Sequence, residues 1–295
     1  MPGPRARRWR LDVLPYLLVA PVAIFIVALA LVPAAFTVVE SFFRVAALDP
    51  PTRFTGFDNF TRLFKSSAVV GSFGNTGLYV LMGVTISTVL GIGMAVLLQA
   101  PFRGRSIVIA ILILPWALPG VVEGILWTGI FEPNAGLIAS IQTSLHLGDG
   151  AVLLGHDKLL TIALIELVQV WQITPLSALL VLAALQLIPA ELYQAAAIDG
   201  ASPWRSFWHL TLPMARPGIA VAMVQAVIAT LNVFDQPYVL NGAASTGVSA
   251  TMQTYFISFQ DLDFGQGYAL SLLITVVTLL VSLGVVRAVY RRVEL

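Results

Sequence analysis

Six long apolar runs, over residues 11–39, 73–99, 107–130, 159–188, 217–238 and 268–289, leave this chain few ways to fold. Each reaches the roughly 20 residues a helix needs to cross a bilayer. In hydrocarbon every backbone N–H and C=O must be bonded within the protein, so such runs form helices. Composition agrees: 58% of residues are hydrophobic and 11% charged, where soluble domains carry about 25% charge. The expected fold class is an all-α polytopic membrane protein with six transmembrane helices. Residues 11–39 exceed the roughly 7–15 residues of a signal-peptide apolar region, so they read as an uncleaved first span.

Orientation follows from Lys and Arg. With residues 1–10 inside, the inner segments hold Arg5, Arg7, Arg8, Arg10, Arg103, Arg105, Arg205, Arg216, Arg287, Arg291 and Arg292. The outer segments hold Arg44, Arg53, Arg62, Lys65 and Lys158. Glu40, Asp49, Asp58, Glu132, Asp149, Asp157, Asp261 and Asp263 lean outward. Both termini are therefore expected in the cytoplasm, with the chain multi-pass in the membrane. The expected organisation is a tail (1–10), a first span (11–39), an outer loop (40–72) and a five-helix core (73–295). A turn is expected at Gly148, Asp149 and Gly150.

Several chemistries are excluded. There is no cysteine, so no disulfide, thiolate or zinc–cysteine site. His146, His156 and His209 lack metal-ligand spacing, and no P-loop, HExxH or GxSxG pattern occurs. No enzyme activity, metal or bound cofactor is expected. ATP-driven transport would need ATP and Mg on a separate ATPase. The net charge of +1 says nothing by itself about nucleic acid, and no such partner is expected.

One polar stretch, 191–213, reads as ordered structure between two apolar runs. Residues 191–199 are alanine-rich helix formers, and Gly200 stands where a helix stops in the left-handed conformation. Ser202 offers an N-cap oxygen and Pro203 suits the first helical position, which predicts a second short helix to about Leu210. Trp204, Phe207 and Trp208 lie on that second piece and suggest a docking surface.

The stretch resembles the EAA loop of the membrane subunits of binding-protein-dependent ABC importers. Gln194, Ala195 and Ala196, then Gly200, then Leu210, Leu212 and Pro213, fall at that pattern's spacing, with Asp199 before the glycine. Gln194 replaces the usual glutamate and Leu210 an isoleucine. Gly56, Phe57, Asn59 and Phe60 resemble the G-[LF]-x-N-[FY] element of carbohydrate permeases. Residues 237–242, Thr251 and 264–270 resemble their outer loop, although Asn241, Ala243 and Ala244 depart from it. The resemblance to maltose-type permeases implies the type I importer fold, a second homologous permease subunit, an ABC ATPase dimer and an extracytoplasmic solute-binding protein. It implies that the hairpin 189–216 couples to the ATPase through Glu191, Gln194, Ala195, Ala196, Asp199, Gly200, Ala201, Trp204, Phe207, Leu210 and Pro213.

Polar side chains inside spans are costly and face the bundle or a cavity. Helical spacing groups Trp116, Glu123, Trp127 and Phe131 in the third span, and Glu166, Gln169, Ile173 and Ser177 in the fourth, with Trp171 and Gln172 adjacent. Gln225, Asn232 and Gln236 form a stripe in the fifth, beside Asp235. Ser271, Thr275, Thr278 and Ser282 in the sixth read as helix–helix contacts. The expected substrate pathway comprises Glu123, Trp127, Glu166, Gln169, Trp171, Gln225, Asn232 and Gln236. Amides, carboxylates and rings without a cation suit a neutral polyol. Pro115, Pro119 and Pro175 mark expected helix breaks. Three alternatives stay open: an ion-coupled secondary carrier using Glu123 and Glu166, an intramembrane enzyme, and a permease for glycerophosphodiesters or amino-sugar derivatives.

Overall fold

The structure, a computed structural model, describes residues 14–48, 50–145, 157–242 and 246–289. The tail 1–10, residues 11–13 of the first run, Asp49, His146, the turn at 148–150, His156, Ala243, Ala244, Arg291 and Arg292 lie outside the described residues.

Helices α1 (Leu14–Ile26) and α2 (Val32–Glu40) form one 27-residue span, joined by a π-helical turn at Val27–Leu31. A second π turn, Phe207–Thr211, lies between α10 (Pro203–Ser206) and α11 (Leu212–Met214). Both π turns end two residues before a proline, Pro33 and Pro213. A proline ring clashes with the carbonyl four residues back, and a widened turn moves that carbonyl aside. The second hairpin helix therefore continues past Leu210 to Met214.

Strands β1 (Phe43–Arg44) and β2 (Arg53–Phe54) pair antiparallel beyond α2 and lead into α3 (Asp58–Lys65). Asn59 fastens this cap by donating to the carbonyls of Ser41 and Phe43, both at 2.8 Å. The Gly56–Phe60 element is thus a backbone staple.

Helix α4 (Ser67–Gln99) follows, then α5 (Arg105–Ala117), α6 (Gly120–Phe131) and α7 (Leu137–Ser144). Ser66 caps α4 through the Val69 N–H, and Asp157 caps α8 (Lys158–Leu185) through Leu160. Helix α9 (Ala190–Ile198) begins the hairpin, and α12 (Arg216–Leu231) leaves it. Short helices α13 (Asp235–Asn241) and α14 (Ala250–Tyr255), the latter extended by a π turn at Phe256–Gln260, precede α15 (Phe264–Val289).

Four helices among the described residues are long and apolar enough to span: Leu14–Glu40, Ser67–Gln99, Lys158–Leu185 and Phe264–Val289. The third apolar run is not straight, and the fifth is entered through a bend. α5 and α6 meet at 96°, and Pro203–Met214 meets α12 at 67°. The first bend has a local cause: Leu118 is extended (ψ 138°) because Pro119 follows it, and a residue before proline is pushed from the helical region. Pro175, by contrast, sits inside an unbroken α8.

The centre of the fold is α4, α8 and α12 packed through small residues, as spans associate without a hydrophobic drive. A side chain on Gly91 would come within 2.9 Å of Ser177 and 3.2 Å of the Ala178 backbone nitrogen. Gly218 lies against Ala184, and Gly83 lies against Glu166 and Thr230. Buried Ala95, Leu98, Val181, Leu185 and Ile219 close the hairpin end, and Tyr79, Ile162, Ile165 and Val233 the opposite end.

Gly91→Leu should lower the melting temperature of the detergent-solubilised protein by several degrees, since overpacking costs ~1–3 kcal/mol. Gly93→Leu, where nothing lies within 4 Å of the added carbon, should leave it unchanged. Thermal unfolding followed by tryptophan fluorescence distinguishes the two.

Candidate functional site

Where a helix breaks in the membrane, its end carbonyls lose their partners and side chains must replace them. At the α5–α6 break, Gln172 of α8 donates to the Leu118 carbonyl at 3.4 Å. Its own side-chain oxygen accepts from Gln236 of α13 at 3.2 Å, and Gln236 also donates to Glu123 of α6 at 3.0 Å. Close approach at glycines makes this possible: a side chain on Gly124 would sit 2.7 Å from Val239, and Gly120 lies against Asp235.

The end of α12 is satisfied similarly. Asn232 bonds the Ile228 carbonyl at 2.8 Å, Gln169 the Ala229 carbonyl at 3.0 Å and Thr251 the Leu231 carbonyl at 3.2 Å. Ser249 takes the Val233 carbonyl.

The expected substrate-pathway residues therefore divide. Glu123, Glu166, Gln169 and Gln236 are buried in the core, with Glu166 seated over Gly83 of α4. Trp127 packs on Phe131 and Trp171 at 5.3 and 5.7 Å. Trp171 also lines an apolar cavity with Leu90 and Leu118. Gln225 is half-buried on α12. Two expected stripes are corrected: the bend at Leu118 removes Trp116 from the face of Glu123, and the end of α12 at Leu231 separates Gln225 from Gln236. Of the eight residues, Asn232 alone lines the polar cavity described next.

That cavity, about 730 Å³, lies between the α12–α13 junction, α14, α15 and Thr37 of α2. Rings form a continuous ladder along it. Phe234 stacks on Tyr238 at 5.2 Å, Tyr255 meets Phe234 at 5.3 Å, and Phe259 meets Tyr255 at 5.3 Å. Thr251, Thr254, Ser258, Ser271 and Thr275 add hydroxyls, and no charged side chain lines it. Ser271 and Thr275, read from the sequence as helix contacts, are on this wall. The ladder was not found in the sequence because its rings come from separate short helices; the cluster of Tyr255, Phe256 and Phe259 was its one visible signal.

At the other end of α12 stands the hairpin. α9 closes with a Schellman cap: Ala201 N–H bonds the Ala196 carbonyl at 2.9 Å, Gly200 N–H bonds that of Ala197 at 3.1 Å, and Gly200 has φ +76°. Ser202 caps α10 through Arg205 N–H at 3.3 Å. Glu191, Gln194, Ala195 and Asp199 are exposed, and Ala196, Ala201, Leu210 and Pro213 half-buried. Ile198, 87% exposed, and Leu187, 83% exposed, complete an apolar outer face that no motif in the sequence marks. Trp204, Phe207 and Trp208 cluster at 5.2–6.1 Å and share an apolar groove with Ile92, Val96 and Leu97 on the flank of α4. Among the described residues no three of His, Asp and Glu gather as a metal site.

A helical membrane chain with a rigid exposed hairpin at one end and a ring-and-hydroxyl cavity beyond the other is built as a transport subunit. The chain belongs to the family described as binding-protein-dependent transport system inner membrane component, whose model matches residues 87–295. Family membership makes it a multi-pass inner-membrane protein. It is 33% identical to the sulfoquinovosyl glycerol transport system permease protein of Agrobacterium fabrum, over 94% of this chain and 93% of that one. It is 31% identical to the trehalose/maltose transport system permease protein of Thermococcus litoralis, over 92% of each. It is 30% identical to the diacetylchitobiose uptake system permease protein of Streptomyces coelicolor, over 94% and 82%. Its fold is that of a bacterial ABC transporter importing the acidic polysaccharide alginate, with TM-score 0.80 and 21% identity over 96% of this chain and 97% of that one.

Gln236→Leu should strand Glu123 without its donor and the Gln172 oxygen without its partner, at a cost of ~1–3 kcal/mol. The expected readout is a lowered melting temperature in detergent; an unchanged value would remove the network from the stabilising interactions.

Proposed function

We propose that this chain is a transmembrane subunit of an ATP-driven importer for a neutral sugar or glycoside. The observation that carries the reading is the cavity at Phe234, Tyr255 and Phe259: ring faces for C–H surfaces, hydroxyls and the Asn232 amide for sugar hydroxyls, and no charge. A sulfonate, phosphate or carboxylate entering it would lose hydration without a counter-charge from this subunit. That favours neutral glycosides, such as those named for the trehalose/maltose and diacetylchitobiose relatives, over acidic ones. Asn232 contacts solute directly, while Gln169 steadies the end of α12 beside it by holding the Ala229 carbonyl.

On this reading the chain has six spans, each bent pair counting as one, with both termini and the hairpin 189–216 in the cytoplasm and the 40–72 loop outside, as the Lys and Arg distribution favours. A second homologous permease closes the open side of the cavity. A solute-binding protein delivers the sugar from outside; a solved alginate transporter of this fold is in complex with a solute-bound periplasmic protein. Two ATPase subunits, carrying ATP and Mg, grip α9 through Glu191, Gln194, Ala195 and Ile198. Closure of that pair moves the hairpin and turns the cavity from inward- to outward-facing.

The test is purification of the tagged chain in mild detergent, identification of what accompanies it, and uptake in proteoliposomes. A P-loop ATPase, a second six-span subunit and ATP-dependent uptake competed by neutral disaccharides are expected. Proton-coupled uptake by the chain alone would overturn the reading in favour of a secondary carrier. Tyr255→Ala should cut uptake about tenfold, equivalent to ~1.4 kcal/mol of lost contact, with ATPase activity retained. Gly200→Val, at φ +76°, should strain the cap by ~1–2 kcal/mol and abolish uptake while the protein stays in the membrane.

A further inference from the structure

The hairpin helix α9 is nearly detached from the body of the protein. Its residues are exposed except for Tyr193 and Ala196, which lie half-buried on the one face turned toward the bundle. Pro189 begins it and the left-handed Gly200 ends it, so neither end continues into a spanning helix. A force applied to its outer face must reach the spans through side chains.

Tyr193 is where the contacts converge. Its ring packs against the buried cluster that includes Leu98 of α4, Leu185 of α8 and Ile219 of α12. Its hydroxyl lies 3.2 Å from the hydroxyl of Thr211 and accepts from the Gln99 side-chain amide at 3.5 Å. Thr211 is buried in the π turn that leads into α12, and Gln99 is the last residue of α4. One hydroxyl therefore ties α9 to both arms that carry motion into the core. From Thr211 the chain runs through α12, about 24 Å at 1.5 Å per residue, and ends at Asn232 and Phe234 on the cavity wall.

We infer that Tyr193 is a positioning residue for coupling, its hydroxyl bonded to Thr211 being the strut that converts displacement of α9 into displacement of α12 and the cavity. The inference rests on the importer reading above. It assigns the ring and the hydroxyl different work: the ring anchors α9 in place, and the hydroxyl makes hairpin and α12 move as one body.

Tyr193→Phe keeps the ring and removes the strut, and Thr211→Val removes the same bond from the other side. The experiment uses the complete complex with its binding protein in proteoliposomes and reads solute imported per ATP hydrolysed, beside melting temperature and binding-protein-stimulated ATPase. The expected result is a fall of at least about fivefold in that ratio for each variant, with assembly, melting temperature and ATPase rate near wild type. The double variant should be no worse than Tyr193→Phe alone, since that change already removes the Thr211 bond together with the Gln99 one. An unchanged ratio in both single variants, additive losses in the double, or parallel loss of ATPase and melting temperature would each overturn the strut alone. No ATP-dependent uptake by the wild-type complex would overturn the importer reading and the strut with it.

Discussion

A backbone carbonyl without a partner in hydrocarbon is the constraint on which this structure turns. Helices that run unbroken, such as α4 and α8, meet it internally. The bent and interrupted segments cannot, and their polar side chains are placed accordingly. Gln172 serves Leu118, Gln169 serves Ala229, Asn232 serves Ile228, and Thr251 serves Leu231. These bonds let a chain so apolar hold a cavity in its wall, because a break is tolerated only where something else completes it.

The same bonds divide the molecule mechanically. Glycines at 83, 91 and 218 bring α4, α8 and α12 to backbone distance, which gives a closely packed centre. Around it, α6 and α13 are joined to each other by Gly120 and Gly124, and to α8 through the Gln236–Gln172 bond. α12 belongs to both regions. It begins beyond the hairpin, runs through the packed centre and ends where Asn232 and Phe234 border the cavity. It is the one helix of the packed centre that connects the hairpin to the cavity wall.

What was legible in the sequence was local. Gly200 as the left-handed cap and Ser202 as the next N-cap follow from the conformational freedom of one residue and the side-chain oxygen of another, and both stand as read. Four of the apolar runs coincide with helices long and apolar enough to span, and Leu118 before Pro119 already carried the signal for the sharpest bend. The role of the polar residues was less legible, because periodicity reports which face of a helix a residue shares but not whether the helix continues. Glu166, Gln169 and Ser177 do share a face of α8, and that face turns into the core. Asn232 and Gln236 do not share one, since Asn232 caps the end of α12 and Gln236 lies on α13, which begins at Asp235. The ring ladder was hidden for a further reason: Phe234 and Tyr255 are brought together by contacts distant in sequence, with Ser249 bonding Val233 and Asn75 bonding Val248.

The placement of charge separates the proposed mechanism from an ion-coupled one. A coupling carboxylate must reach solvent or substrate from alternate sides, which requires an open path to it. Glu123 is 0% and Glu166 1% exposed, and neither lines the polar cavity. The first is held by Gln236, and the second is wedged against Gly83 and Thr230. The cavity offers rings, hydroxyls, one amide and the aliphatic Ile274 but no charge, which suits the neutral sugar of the proposed function. With the carboxylates closed off from that cavity, work must be delivered from elsewhere. In the proposed mechanism it arrives at the exposed α9, which Tyr193 and Thr211 join to the start of α12.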